Sequence, residues 1–168
     1  MRDTAFKRVL RTMALGTQVK IEGPFGDLTL HKNVERAAVL LAGGIGITPF
    51  RSIVFRASQD KLPHHIFLFY SNRRPEDAAF LQELQQLEQK YASYKLIATM
   101  TEMEKAHHGW TGDTGSINEQ LLSKYLKAAK SPIYYVAGPP KMVQGLSEML
   151  NKMGVDKDDI RAEEFLGY

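Results

Sequence analysis

"LLAGGIGITPFRSI", Leu40–Ile53, passes from an apolar run into Gly43, Gly44 and Gly46 and then into residues with helical spacing. That is how a strand leads through a glycine turn into a helix whose amino-terminal end faces a bound nucleotide. Two familiar patterns fail here. The dinucleotide fingerprint needs a third glycine three residues after Gly46, where this chain has Pro49. The P-loop needs a Gly-Lys-Ser/Thr ending, and the stretch has no lysine.

On either side of this stretch the same alternation continues. "AAVLLA", "IFLFY", "KLIAT", "PIYYVA" and "IRAEEF" are short apolar runs, separated by segments whose apolar residues repeat at helical spacing. Phe80, Leu84, Leu87 and Tyr91 make one helical stripe, Ile117, Leu121, Leu122 and Tyr125 another, and Met142, Leu146, Met149 and Met153 a third. Strands apolar along their whole length are covered on both faces, so the pattern predicts an α/β fold with a doubly wound, five-stranded parallel sheet. The methionine stripe reads as core packing.

The first residues break the alternation. A short amphipathic helix with Phe6, Val9, Leu10 and Met13 inward precedes "TQVKIEGPFGDLTLH", which reads as two short strands around a Gly-Pro-Phe-Gly turn. A helix and a hairpin cannot build a core of their own. Residues 1–34 are therefore expected to be the last part of another domain, and residues 35–168 a domain in themselves.

Bulk properties narrow the function. A chain of 168 residues, 43% hydrophobic and 24% charged, buries one sizeable core. The net charge of +3 is spread among acidic residues, which gives no stripe for a nucleic-acid backbone. With no cysteine, disulfides, thiolate catalysis and cysteine-held zinc or iron-sulfur centres are excluded from this chain. The longest apolar run, Ala37 to Ile47, is too short to span a bilayer, and "MRDTAFKRVLRTM" lacks the apolar centre of a signal peptide. The expectation is a cytoplasmic protein that does not bind a membrane. The adjacent pairs His64/His65 and His107/His108 come with no further ligand set, so no metal site is expected.

Three motifs taken together resemble the ferredoxin-NADP reductase family of flavoprotein oxidoreductases. Gly43, Gly44, Gly46, Thr48 and Pro49 match its Gly-Gly-x-Gly-x-Thr-Pro segment, "YYVAGPPKMV" its Cys-Gly-Pro-Pro segment, and "AEEFLGY" its acidic-aromatic carboxyl terminus. "DTAFKRVL" stands where that family places a Ser or Thr opening a helix against the flavin pyrophosphate, which here is Thr4. The resemblance covers the whole nicotinamide-binding domain and only the last part of the FAD-binding barrel. The family's Arg-x-Tyr-Ser strand, which holds the isoalloxazine, has no counterpart in the chain.

The resemblance implies a strand order of 3-2-1-4-5 and cofactors NAD(P)H and FAD, the latter with a half site only. In physical terms the glycines admit a pyrophosphate to the backbone, Thr48 offers a hydroxyl, and Pro49 is expected at the first helical position. Gly138 lets the nicotinamide lie close to the backbone, with Pro139 and Pro140 stiffening the turn and Ala137 in place of the family's cysteine. "YSNRRPEDAAF" implies that Ser71, Arg73 and Arg74 read the adenosine ribose, Arg73 standing where NADP-selective members meet the 2'-phosphate. That slightly favours NADP over NAD. Phe165 aligns with the aromatic that stacks on the flavin, Tyr168 being the alternative, and Glu163 with a proton-path carboxylate as the single catalytic candidate.

Two functions follow. One is an oxidoreductase lobe that passes hydride from NAD(P)H to FAD and electrons on to a ferredoxin-like or oxygenase partner. The other is a non-catalytic nucleotide-binding or regulatory module without a complete flavin site. The uncovered apolar face of the first helix also implies a homodimer or larger species.

Overall fold

A computed structural model describes residues 4–23, 26 and 28–165. Five principal strands form along the apolar runs: β1 Ala38–Gly43, β2 Ile66–Asn72, β3 Tyr94–Met100, β5 Ile133–Gly138 and β6 Ile160–Glu164. A two-residue strand, β4 (Asp113–Thr114), adds to the edge. All pair in parallel, in the order β4-β3-β2-β1-β5-β6. Without β4 this is the expected 3-2-1-4-5 arrangement. β4 carries no apolar signal, and is held instead by Thr99 Oγ1 donating to Gly115 O at 2.6 Å and Gly115 N–H donating to Met100 O at 2.8 Å.

Helices α2 (Ile47–Gln59) and α3 (Leu81–Lys90) cover one face, and α4 (Glu119–Tyr125) and α5 (Pro140–Lys152) the other. β1 and β5 are buried along their whole length, because each lies between neighbours and between helical layers. Leu40, Leu68, Tyr135, Phe50 and Val54 pack on the α2/α3 side, and Leu41, Phe69, Val136, Leu122 and Leu150 on the other. Phe80 departs from the helical stripe expected of it. It precedes α3 with φ +61 and stays 40% exposed, while Leu84 and Leu87 carry the burial.

The amino-terminal segment departs further. α1 (Ala5–Thr12) forms behind a Thr4 cap, yet none of its residues is buried, and Phe6 is 71% exposed. Among the described residues, 17–31 contain no strand, where two were expected. A two-stranded ribbon without a third strand or a covering helix is marginal in water. The Pro24 and Phe25 of its turn lie outside the described residues.

The segment that leads into β1, residues 28–36 and here called the linker, docks onto the sheet through Arg36. Its Nη2 lies 2.6 Å from Asp159 Oδ2, and its Nε donates to Ser131 O at 2.6 Å. The guanidinium holds the Asp159 carboxyl below its usual 3.8. A carboxylate depressed in the folded state lends stability above its unfolded pKa, and that stability is lost as pH falls through the lower folded value. Asp159→Asn is expected to cost about 1–2 kcal/mol at neutral pH, a charge-assisted hydrogen bond discounted for partial exposure. It should also flatten the acid limb of the stability curve. Urea titrations at neutral pH and below about pH 4 measure both effects.

Candidate functional site

β1 ends at Gly43, and a tight turn over Gly44–Gly46 feeds directly into α2. The glycines serve different ends. Gly46 lies so close to β5 that a Cβ there would stand 2.1 Å from Ala137 O. A Cβ on Gly43 would run into the Met142 thioether, and one on Gly138 would sit 3.1 Å from Gly43 O. The carboxyl ends of β1 and β5 are thus drawn together most tightly at Gly46, which the Ala137 backbone closes to any side chain, with Gly138 in close contact with the Gly43 backbone and Gly43 under the Met142 side chain. Gly44 is the exception. It has φ +51, a left-handed conformation that L side chains resist, and no protein atom lies within 4 Å of where its Cβ would project. Its outward face is open space, as a backbone cradle for a ligand requires.

The remainder of the turn is braced. Thr48 Oγ1 donates to Ile45 O at 3.1 Å, so the hydroxyl supports the loop. Pro49 is the third residue of α2 rather than the first. The proline still costs no helical bond there, because the first-turn amides lack intrahelical partners. Pro139 precedes α5 and Pro140 is its first residue, a position suited to proline. β1 connects through α2 to β2 on one side, while β5 flanks it on the other. The crevice beyond Gly43 and Gly138 is therefore the switch point of the sheet, where open α/β folds bind ligands.

Ser71 pairs in register with Gly43 and is half-buried. Beyond it the two arginines diverge. Arg74 grips Asp77 in bidentate fashion at 2.8 and 2.9 Å, with Glu76 at 3.6 Å, and holds the Asp77 carboxyl below its usual range. Arg73 is 76% exposed, and its Nε stands 3.6 Å from Glu102 Oε1. Glu102 is also bound by Lys105 at 2.9 Å, the contact that does most to hold its carboxyl low. It is placed by its own N–H donating to Arg73 O at 2.8 Å. Sequence reading missed Glu102, which follows β3 and meets Arg73 only once β2 and β3 are paired. Met142, read as core, does pack on the α4/α5-side core, and its thioether also lies over Gly43. The position of Met142 just after the Gly-Pro-Pro turn was the one available signal.

On the β6 side, Glu163 pairs in register with Ala137, and Phe165 N–H donates to Gly138 O at 2.9 Å. Phe165 packs half-buried on the α2/α3 layer. Glu163 lines a cavity of about 440 Å³ together with Gly26, Leu28, Arg161 and Ala162. Tyr168 lies outside the described residues. The glycine turn, Thr48, Pro49, Ser71 and the segment Ala137 to Pro140 thus share one end of the sheet. Arg73 and Arg74 flank that end on one side, and Glu163 and Phe165 on the other. Thr4 caps α1, its Oγ1 accepting from Lys7 N–H at 3.3 Å. Among the described residues no cluster of His, Asp or Glu could hold a metal, and no helix is long and apolar enough to cross a membrane.

Residues 40–148 match the family described as "Oxidoreductase NAD-binding domain". A component of the Na(+)-translocating NADH-quinone reductase from Methylococcus capsulatus is 31% identical over 156 residues, which are 90% of this chain and 38% of that protein. An NADH-cytochrome b5 reductase 1 from Mortierella alpina is 28% identical over 89% of this chain and 50% of its own. The chain thus spans half or less of these relatives' length. Among solved structures, the cytochrome b5 reductase domain of Ulva prolifera nitrate reductase superposes over 95% of this chain and 66% of that one, with a TM-score of 0.80 and 23% identity. The ferredoxin reductase in carbazole 1,9a-dioxygenase superposes over 85% of this chain and 41% of that one, with a TM-score of 0.67 and 26% identity.

Proposed function

This chain belongs to the oxidoreductase NAD-binding domain family, within the ferredoxin-NADP reductase group, and from that premise we propose that it is the nicotinamide-binding lobe of a flavoprotein oxidoreductase. The observation that carries this reading is the convergence of the Gly43–Gly46 turn and the Gly138-Pro139-Pro140 turn on one open crevice. Two glycine-bearing turns closed against each other, with Gly44 facing outward, form a backbone cradle that suits a diphosphate.

The residues present fit a dinucleotide. When bound, the coenzyme supplies a hydride, and the flavin that accepts it releases electrons one at a time to a partner. The chain's own part is placement. The Gly44–Gly46 turn and the start of α2 approach the pyrophosphate, and the Thr48 hydroxyl keeps that turn closed. Gly138 leaves the crevice floor flat for a planar ring, while Phe165, tied to Gly138 through its backbone, borders the flavin side with Glu163 beside it. For FAD the fit is partial: Thr4 and α1 provide one helix end, and the described residues include no barrel strand. A soluble or membrane-bound electron carrier as acceptor, and a cytoplasmic setting, belong to the same proposal.

We take NADH as the preferred coenzyme. Glu102 beside Arg73 suits the ribose hydroxyls and opposes a 2'-phosphate. Arg74 is engaged by Asp77, which leaves Arg73 as the guanidinium able to meet a phosphate. Arg73→Ala is accordingly expected to weaken NADPH by about 1.5–3 kcal/mol, the scale of a charge-assisted hydrogen bond, with NADH hardly affected. Glu102→Gln should instead tighten NADPH. Calorimetry with both coenzymes tests the reading. Equal losses for the two in Arg73→Ala remove Arg73 from discrimination, and no binding of either refutes the site. The module reading is separated from the enzyme reading by NAD(P)H-dependent reduction of an artificial acceptor once FAD is supplied.

A further inference from the structure

Opposite the glycine turn, where β1 and β2 begin, two buried histidines join the linker to the sheet. His31 is 5% exposed and His64 4% exposed, with ring centroids 5.1 Å apart. His31 N–H donates to the Tyr135 hydroxyl at 2.8 Å, and His31 Nδ1 lies 2.9 Å from the same oxygen. His31 Nε2 lies 3.0 Å from Arg36 O, and His64 Nε2 lies 2.8 Å from His31 O.

The partners dictate the protons. A carbonyl oxygen only accepts, so both Nε2 atoms carry hydrogen. The Tyr135 hydroxyl accepts from the His31 amide and so is free to donate its own proton to Nδ1. Burial favours the neutral ring, in which the Tyr135 hydroxyl donates to Nδ1 and every polar atom of the ring is satisfied. His64 Nδ1 has no partner and is buried.

We propose that His31 is a proton-sensitive latch: closed when neutral, it pins residues 28–36 to the sheet, and on protonation it releases them. A proton added at Nδ1 turns an acceptor into a donor facing the hydroxyl that was donating to it. It also places a positive charge 5.1 Å from the His64 ring. The other groups facing the latch do little to offset that charge. Arg161 of β6 lies over Tyr135 at 5.3 Å and donates to Thr29 O, so it adds positive charge. Arg36 is cationic, and the carboxylate beside it, Asp159, is engaged chiefly by that guanidinium and attracts His31 only as its weakest interaction. Tyr91, after α3, is neutral and donates to Leu62 O at 2.7 Å. Burial, then His64 and Arg161, hold the His31 pKa below its usual 6.5 despite the opposing hydrogen bond to Arg36 O.

The sign follows from linkage. A released His31 titrates normally and takes up a proton that the closed form refuses, so the latch is fully stable above about pH 6.5 and weakens as pH falls below it. One proton changes the opening equilibrium by at most about tenfold per pH unit.

Hydrogen exchange on the whole chain at pH 7.5 and 5.5, corrected for intrinsic rates, tests the latch. Opening of residues 28–36 is expected to rise toward about tenfold at the lower pH, while β1, β2 and β5 keep their protection. In His31→Gln, which cannot titrate, the rise should vanish. In Tyr135→Phe the segment should be open at both pH values. Equal protection of the segment at both pH values in the unsubstituted chain overturns the proposal, as does a pH response that survives in His31→Gln. Should either variant fail to fold, ring-nitrogen NMR of the unsubstituted chain decides: His31 must be the neutral Nε2–H form at pH 7.5, and a hydrogen on Nδ1 overturns the latch.

Discussion

Gly44→Ala is expected to lower nicotinamide coenzyme affinity at least about 100-fold while costing the fold only about 1–2 kcal/mol. The two effects have separate origins. At φ +51 an alanine pays a left-handed penalty, but its methyl group meets no protein atom within 4 Å, so packing is undisturbed. That methyl instead projects into the open cradle where the pyrophosphate would rest. Gly46→Val is the complementary change. Its side chain would enter the Ala137 backbone at 2.1 Å, so the carboxyl ends of β1 and β5 must part, at a cost of about 3 kcal/mol or more. Urea titration and calorimetry on both variants distinguish them. If Gly44→Ala binds coenzyme as tightly as the unsubstituted chain, the diphosphate does not sit at this turn.

The 168-residue chain is expected to hold FAD about 1,000-fold more weakly than a fusion that supplies the barrel strands of a homologous reductase ahead of Thr4. Loss of two or three charge-assisted contacts to the cofactor suffices for that difference. The structure gives the reason on the protein side. Thr4 uses its hydroxyl to cap α1, and the helix it opens presents Phe6, Val9 and Leu10 to solvent, with Leu15 and Ile21 exposed further along. An uncovered apolar face of this kind also favours self-association, so light scattering should report a dimer or larger species that the fusion converts to a monomer. A monomeric 168-residue chain binding FAD stoichiometrically at micromolar concentration would sink this prediction.

The parts of the fold that were legible came from local repetition. "AAVLLA", "IFLFY" and "PIYYVA" are apolar at every position because their strands are covered on both faces, and that pattern survives in one dimension. The glycine turn was legible because close backbone approach at Gly46 and a left-handed φ at Gly44 both exclude side chains, which leaves glycines that the sequence displays directly. The described residues of 17–31 form no strand although their composition suits one, because a strand needs partners and none of the described strands pairs with them. β4 went unseen because two polar residues pairing at an edge have no periodicity.

Taken alone, the sequence determined the parallel sheet and the two turns at its carboxyl end, which depend on residues close together in the chain, where apolar period, glycine and proline act through local sterics. The strand order and the family came with the resemblance of its motifs, the order itself being set by the pairing of strands far apart in the chain. Tertiary structure decided what those turns face. It separated Gly44, open to a ligand, from Gly46, closed against Ala137, and it set Glu102 beside Arg73 while Asp77 engaged Arg74. It also brought His31 to Tyr135 across 104 residues and to His64 across 33. Contacts of this reach leave no local pattern, because they arise only when parallel strands stack side by side and bring distant positions into one layer.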